Sequence, residues 1–122
     1  MMVISAAMER YLHAILLLKK KYCCVRSVDV AHYLGISKAS VSAAVKKLVE
    51  GGMLIMEADG NLVLTQTGVQ YMLGYRERCD FFHRLLLAAG LEPDNAEREA
   101  FSLAQAVQPD TFAALKKYLA DV

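Results

Sequence analysis

A chain of 122 residues, 56% of them apolar, has enough hydrophobic material for a packed core, and this composition excludes a disordered tail. So high an apolar fraction in so short a chain points to a subunit interface, while a formal net charge of +1 argues neither for nor against nucleic acid. Cys23, Cys24 and Cys79 are odd in number and suggest no disulfide framework, so a reducing cytoplasm is the expected compartment.

The start, Met1-Met2-Val3-Ile4, has no basic region, and Glu9 and Arg10 interrupt it before an apolar stretch forms, so no signal peptide is expected. A first helix is expected from about Ser5 to Lys21, with Met8, Tyr11, Leu12, Ile15 and Leu18 along one face. Its apolar run, Ala14 to Leu18, is far shorter than the roughly 20 residues that span a bilayer, so no membrane partner is expected. Ser27 reads as the N-cap of a second helix ending at Leu34, with Val28, Ala31 and Leu34 turned inward. Gly35-Ile36-Ser37 makes a tight turn, and Ser37 caps a third helix that runs to about Glu50 and stops at Gly51-Gly52.

The period then changes. Met53-Leu54-Ile55-Met56 and Leu62-Val63-Leu64 are short apolar runs flanking Asp59-Gly60-Asn61, the pattern of a β-hairpin. Thr65 or Thr67 caps a long helix to about Ala89, whose last part, around Phe81-Phe82 and Leu85 to Ala88, is apolar nearly all round. Asp94-Asn95-Ala96-Glu97 reads as a capping box for another helix to Val107, and Pro109 opens a last one ending near Ala120.

Two short helices joined by a glycine-containing turn form a helix-turn-helix, and the hairpin that follows supplies a wing. The fold class expected is therefore mainly α. A winged helix-turn-helix DNA-binding domain with a two-stranded wing (residues 1–65) is followed by a helical dimerisation domain (residues 66–122). Charge follows this division: eight Lys/Arg against five Asp/Glu in residues 1–65, and six against eight beyond.

The third helix carries the chemistry. With Val41 inward, Ala44, Val45, Leu48 and Val49 join it, and the opposite face holds Ala39, Ser40, Ser42, Ala43, Lys46 and Lys47. Small side chains let a backbone approach the major groove, hydroxyls reach base edges or phosphates, and alanine methyls meet thymine methyls. Lys46 and Lys47 suit phosphates, and Arg26, Ser27, Ser37 and Lys38 flank at the helix starts. The wing is less suited, since Glu57 and Asp59 without any Lys or Arg should repel phosphate.

These residues carry a resemblance to the diphtheria toxin repressor and manganese transport regulator family. It rests on Met8-Glu9-Arg10-Tyr11-Leu12, Val30-Ala31 with Ser37 to Val45, Gly60-Asn61-Leu62-Val63-Leu64-Thr65-Gln66-Thr67-Gly68, and Arg84-Leu85-Leu86 through Gly90-Leu91. The chain resembles the shorter members, which lack an SH3-like third domain. The resemblance implies a cytoplasmic homodimer, joined through its C-terminal helices, that reads a palindromic double-stranded DNA operator as a transcriptional regulator, a repressor. It also implies a divalent metal between the first helix and the dimerisation helices. The ligand positions it implies fall at Arg10, His13, Cys79, Phe101, Ala104 and Gln105. Arg10 brings its own positive charge, Phe101 and Ala104 have no side-chain donor, and Gln105 is a poor one.

Two readings follow for the effector. Arg10 takes the place of the cation, paired with an acid such as Asp80, or a relocated site gathers Cys79, His83 and Glu97, with His13 a further candidate. Cys79 and His83 stand four apart on one helix, and the resemblance places His83 and Glu97 near an ancillary metal position. A thiolate with an imidazole suits zinc, while manganese and iron come from the family. Cys79 as a small core residue, His83 as an interface histidine and Glu97 as a capping residue are the bland counterparts. Cys23 and Cys24 read as inert thiols, and Tyr71 and Tyr75 as packing or interface residues. No phosphate loop, carboxylate pair or nucleophile–base arrangement suggests an enzyme. Two alternatives stay open: a winged-helix interaction module that has given up DNA, and a winged-helix regulator sensing an organic ligand in its helical core.

Overall fold

The computed structural model describes residues 4–120; residues 1–3, part of the N-terminal stretch read above, and residues 121–122 lie outside the described residues. The elements run α1 (Ala6–Lys19), α2 (Ser27–Leu34), α3 (Lys38–Glu50), β1 (Leu54–Met56), β2 (Leu62–Leu64), α4 (Gln66–Ala88), α5 (Pro93–Ala106) and α6 (Pro109–Ala120). The chain divides into two compact units between Met72 and Leu73, within α4, whereas the sequence reading drew its boundary at the wing exit.

In the first unit α1, α2 and α3 pack on one another and α3 packs on β1. Leu12 and Ile15 of α1, Val30 of α2, Val41, Val45 and Leu48 of α3, and Leu54 and Leu62 of the hairpin are all but inaccessible. The spacing of Val41, Val45 and Leu48 puts one stripe of α3 inward. Two expectations change here. Val28 is 49% exposed and Val30 takes its place, because Ser27, Val30 and Ala31 share the inner face of α2. Val49 is also exposed, one position beyond the buried stripe of α3.

Helix ends follow local chemistry. Arg26, not Ser27, is the N-cap of α2: its backbone N–H is accepted by Asp29 Oδ2 at 2.8 Å, so the carboxylate three residues on closes the first turn. Gly35 ends α2 in the left-handed region (φ 69°), and Ile36 N–H returns to Ala31 O at 3.1 Å. Ser37 Oγ accepts Ser40 N–H at 3.2 Å and caps α3, a contact worth about 1 kcal/mol.

The wing is a short antiparallel pair with Leu54 opposite Leu64, Ile55 opposite Val63 and Met56 opposite Leu62. It is fastened to the segment before α2. Leu62 N–H reaches Val25 O at 2.8 Å, and Val25 N–H is accepted by Asn61 Oδ1 at 2.9 Å. The same oxygen accepts Lys19 Nζ at 2.6 Å, and Asn61 Nδ2 donates to Glu57 Oε1 at 2.6 Å. Asn61 is only 9% exposed, so these bonds satisfy its amide in a place water hardly reaches.

Thr65 links wing to helix. Its Oγ1 donates to Gly52 O and accepts Gly68 N–H at 3.0 Å, capping α4. Gly68 then lies directly against the backbone of Met53: a Cβ there would collide with Met53 O. Tyr71, one turn on, donates its hydroxyl to the buried Glu9 of α1.

In the second unit Phe82, Ala100 and Phe112 form a small core, with Phe81, Leu86, Leu103, Val107 and Leu115 around it. Phe81 meets Phe82 and Phe112 edge-on, both at 5.3 Å between ring centres. Ala96, Ala100 and Ala104 make the buried stripe of α5. Asp94 does not open that helix as expected; Pro93 does, because a first-turn residue needs no N–H partner and proline's fixed φ already suits a helix. Among the described residues no helix is long and apolar enough to cross a membrane.

Three outcomes follow. Gly68→Ala drives a methyl into a backbone carbonyl and is expected to cost on the order of 1–3 kcal/mol, read as a lower urea midpoint. Gly74→Ala, where a Cβ meets only Arg78 Nη1 at 3.8 Å, is expected to be neutral or to stabilise. Asn61→Ala leaves Val25 N–H without its acceptor, a loss of about 1–3 kcal/mol, and hydrogen exchange at the Val25 amide is expected to accelerate.

Candidate nucleic-acid interface

The outward face of α3 is built as the buried face requires. Once Val41, Val45 and Leu48 turn inward, Lys38, Ala39, Ser40, Ala43, Lys46 and Lys47 are exposed, and Ser42 is half-buried at the edge. Ala39, Ala43, Lys46 and Lys47 fall on one stripe, small residues in the first two turns and ammonium groups beyond them. Ser37 and Ser40, both exposed, share a hydrogen bond from Ser37 Oγ to Ser40 Oγ of 2.8 Å, which fixes both hydroxyls at the helix start. Ser27, by contrast, is 8% exposed, which leaves little of its hydroxyl for a ligand.

Arg26 sits elsewhere than a bare helix start. Its side chain crosses to the wing, where Nε donates to Asp59 O at 2.7 Å. Its Cδ passes 3.4 Å from where a Gly60 Cβ would stand, so the side chain lies over the turn. The wing's acids are also occupied: Asp59 Oδ1 accepts Asn61 N–H at 2.9 Å, and Glu57 accepts the Asn61 amide. The wing has no cation in its own sequence, yet Arg26 and Lys19 bring it two.

The candidate metal residues are placed unit by unit. In the first, Arg10 is exposed and His13 half-buried on α1. In the second, Cys79 and His83 are half-buried one turn apart on α4, and Glu97 is exposed on α5. Asp80, suggested as the acid for Arg10, stands 4.0 Å from Arg76 on its own helix. Phe101 lies beside Tyr75, ring centres 6.3 Å apart, while Ala104 is fully buried and its carbonyl accepts Arg78 Nε at 3.0 Å. Among the described residues, no three His, Cys, Asp or Glu side chains come together as a metal would need. The donor set that the family's metal requires is therefore not matched by Arg10, Phe101 and Ala104.

Two residues were missed from sequence. Glu9 was read only as part of a motif, yet it is buried and accepts the Tyr71 hydroxyl. Asn61 was read only as a turn residue; the Asp-Gly-Asn string signals a turn whichever way the amide points.

Residues 3–62 match the family model described as the iron dependent repressor, N-terminal DNA binding domain. The chain is 30% identical over 93 residues to the transcriptional regulator MntR of Escherichia coli O6:H1, covering 76% of this chain and 60% of that protein. It is 32% identical over 89 residues to MntR of Salmonella typhimurium, covering 73% and 57%. The chain thus spans somewhat over half the length of these relatives. Among solved structures, the hypothetical protein SSo2273 from Sulfolobus solfataricus has a TM-score of 0.76 at 20% identity, covering 97% of this chain and 91% of that one. A manganese-dependent transcriptional repressor in complex with manganese gives a TM-score of 0.73 at 24% identity, covering 93% and 52%. The manganese regulator SloR gives 0.74 at 21% identity, covering 98% and 55%. Residues 3–62, which hold the helix-turn-helix, thus belong to the iron-dependent repressor family through its N-terminal DNA-binding domain, and the chain is similar beyond them to the MntR regulators.

Proposed function

We propose that this chain is a sequence-specific transcriptional regulator, a repressor, that binds double-stranded DNA as a homodimer on a palindromic operator. The observation that carries the reading is the exposed stripe of α3, small at its start and basic at its end. Ala39 and Ala43 let the helix backbone close on base edges, and Ser40 and Ser42 are the hydroxyls beside them in sequence. Ser40 Oγ accepts from Ser37, so its own proton is available to a DNA oxygen. Lys38, Lys46 and Lys47 meet phosphates on either side.

Dimerisation through the second unit is supported by its exposed apolar side chains. Leu73, Leu85, Leu87 and Tyr118 are open to solvent, and Phe81, Ala113 and Leu119 line an open groove of about 610 Å³. A regulator of this kind acts where the DNA is, in the cytoplasm.

Control is proposed to run without a metal at the family's usual position, since Arg10, Phe101 and Ala104 there offer no donor and His13 and Cys79 alone do not make a full set. Chelator-treated protein is expected to bind DNA as well as protein given manganese, iron(II) or zinc. A gain of about tenfold or more on adding metal would contradict this. If that gain disappears in Cys79→Ala, His83→Ala protein, a metal site on α4 replaces the metal-free reading.

The DNA reading is tested by fluorescence anisotropy with a mixed-sequence duplex across a salt series. The logarithm of the binding constant is expected to fall linearly with the logarithm of salt. Lys46→Gln with Lys47→Gln is expected to flatten that slope by about 1.8 per subunit bound, at about 0.9 for each phosphate no longer neutralised. Absence of any salt-sensitive binding would favour the interaction-module alternative.

A further inference from the structure

We propose that Arg26, although it belongs to α2, is the residue through which the wing grips the DNA backbone. This rests on the DNA-reading function proposed above and assigns the wing a role in it. By its own residues the wing should be repelled: Glu57 and Asp59 flank its turn, and no Lys or Arg lies between Met53 and Thr65. The structure rearranges that charge. Both carboxylates accept hydrogen bonds from Asn61, Asp59 from its backbone N–H and Glu57 from its side-chain amide, so each is engaged within the turn.

Arg26 then lies across the outside of the turn. Its Nε is spent on Asp59 O, which fixes the plane of the guanidinium, and its exposed side chain passes over Gly60. A guanidinium has five N–H donors in a rigid fork; holding one on a carbonyl leaves the others aimed in a set direction. Mounted so, they suit phosphate oxygens, which recognise planar, bidentate donors and carry no base information. Lys19, also at the turn, brings a second positive charge to the Asn61–Glu57 side, its Nζ 2.6 Å from Asn61 Oδ1. The wing tip, acidic in sequence, is thereby close to neutral with its one outward fork cationic.

The experiment measures salt-dependent binding of full-length protein to a mixed-sequence duplex for wild type, Arg26→Gln, Arg26→Lys and Asn61→Ala. Arg26 is exposed, so Arg26→Gln is expected to fold normally. Its slope of log binding constant against log salt should flatten by about 0.9 per subunit, equally on every sequence. Arg26→Lys should restore most of the slope. Asn61→Ala, which loosens the seat of the wing, should weaken binding in the wild-type background and have little further effect beside Arg26→Gln. An unchanged slope in Arg26→Gln, or additive effects of the two substitutions, overturns the assignment, and the slope decides it even if Asn61→Ala does not fold. Wild-type protein that fails to bind any duplex overturns the DNA reading itself.

Discussion

The amide of Asn61 holds the winged unit together at the place where three segments meet. Its oxygen accepts the Val25 N–H and the Lys19 ammonium, and its nitrogen donates to Glu57, so the end of α1, the approach to α2 and the wing turn share one residue. A two-stranded hairpin of this length has almost no stability alone. Fastened to Val25 by one backbone bond from Leu62 and one to the Asn61 side chain, it instead gains Leu54 and Leu62 as core residues. The orientation of α3 depends on that support, because β1 is one of the surfaces its inner stripe packs against. Buried polar groups of this kind stabilise only when every donor and acceptor is matched, and here the matches fix which way the wing turns.

The same constraint explains how an acidic hairpin fits the proposed DNA-binding role. Charges counted along the sequence place two carboxylates at the tip, but Arg26 and Lys19 bring two cations to the same turn, and Asn61 holds both acids by hydrogen bonds. Net charge over a segment therefore misjudges the field at its surface when the neutralising cation comes from elsewhere in the chain. The α3 face needs no such correction: its small and basic residues are exposed because the opposite stripe is buried.

Much of the winged unit was legible in sequence because its signals are local. Ser37 as a cap, Gly35 in the turn, the change of period at Met53 and the glycines after Glu50 each point to one structure. Where two local signals competed, the reading failed. Ser27 is a better intrinsic N-cap than Arg26, yet Asp29 accepts the Arg26 N–H and moves the cap back one residue. At α5 Pro93, whose fixed φ already suits a first helical turn, takes the start ahead of the Asp94 to Glu97 capping box. The Asn61 hub and the Arg26 crossing span 36 and 33 residues, and no short-range pattern encodes such contacts. At the family's metal position the sequence was informative in the opposite sense, since Arg10, Phe101 and Ala104 carry side chains unsuited to a cation.

The proposed function is that of a regulator reading a two-fold DNA site through the α3 surface. The most direct test is to select bound duplexes from a random pool with wild-type protein and with a variant carrying Ala39→Gln and Ala43→Gln on α3. The account predicts that wild type enriches a two-fold symmetric sequence, and that the variant enriches different bases within the half-sites at unchanged half-site spacing. Enrichment of nothing by wild type, or of the same bases by both proteins, would contradict it.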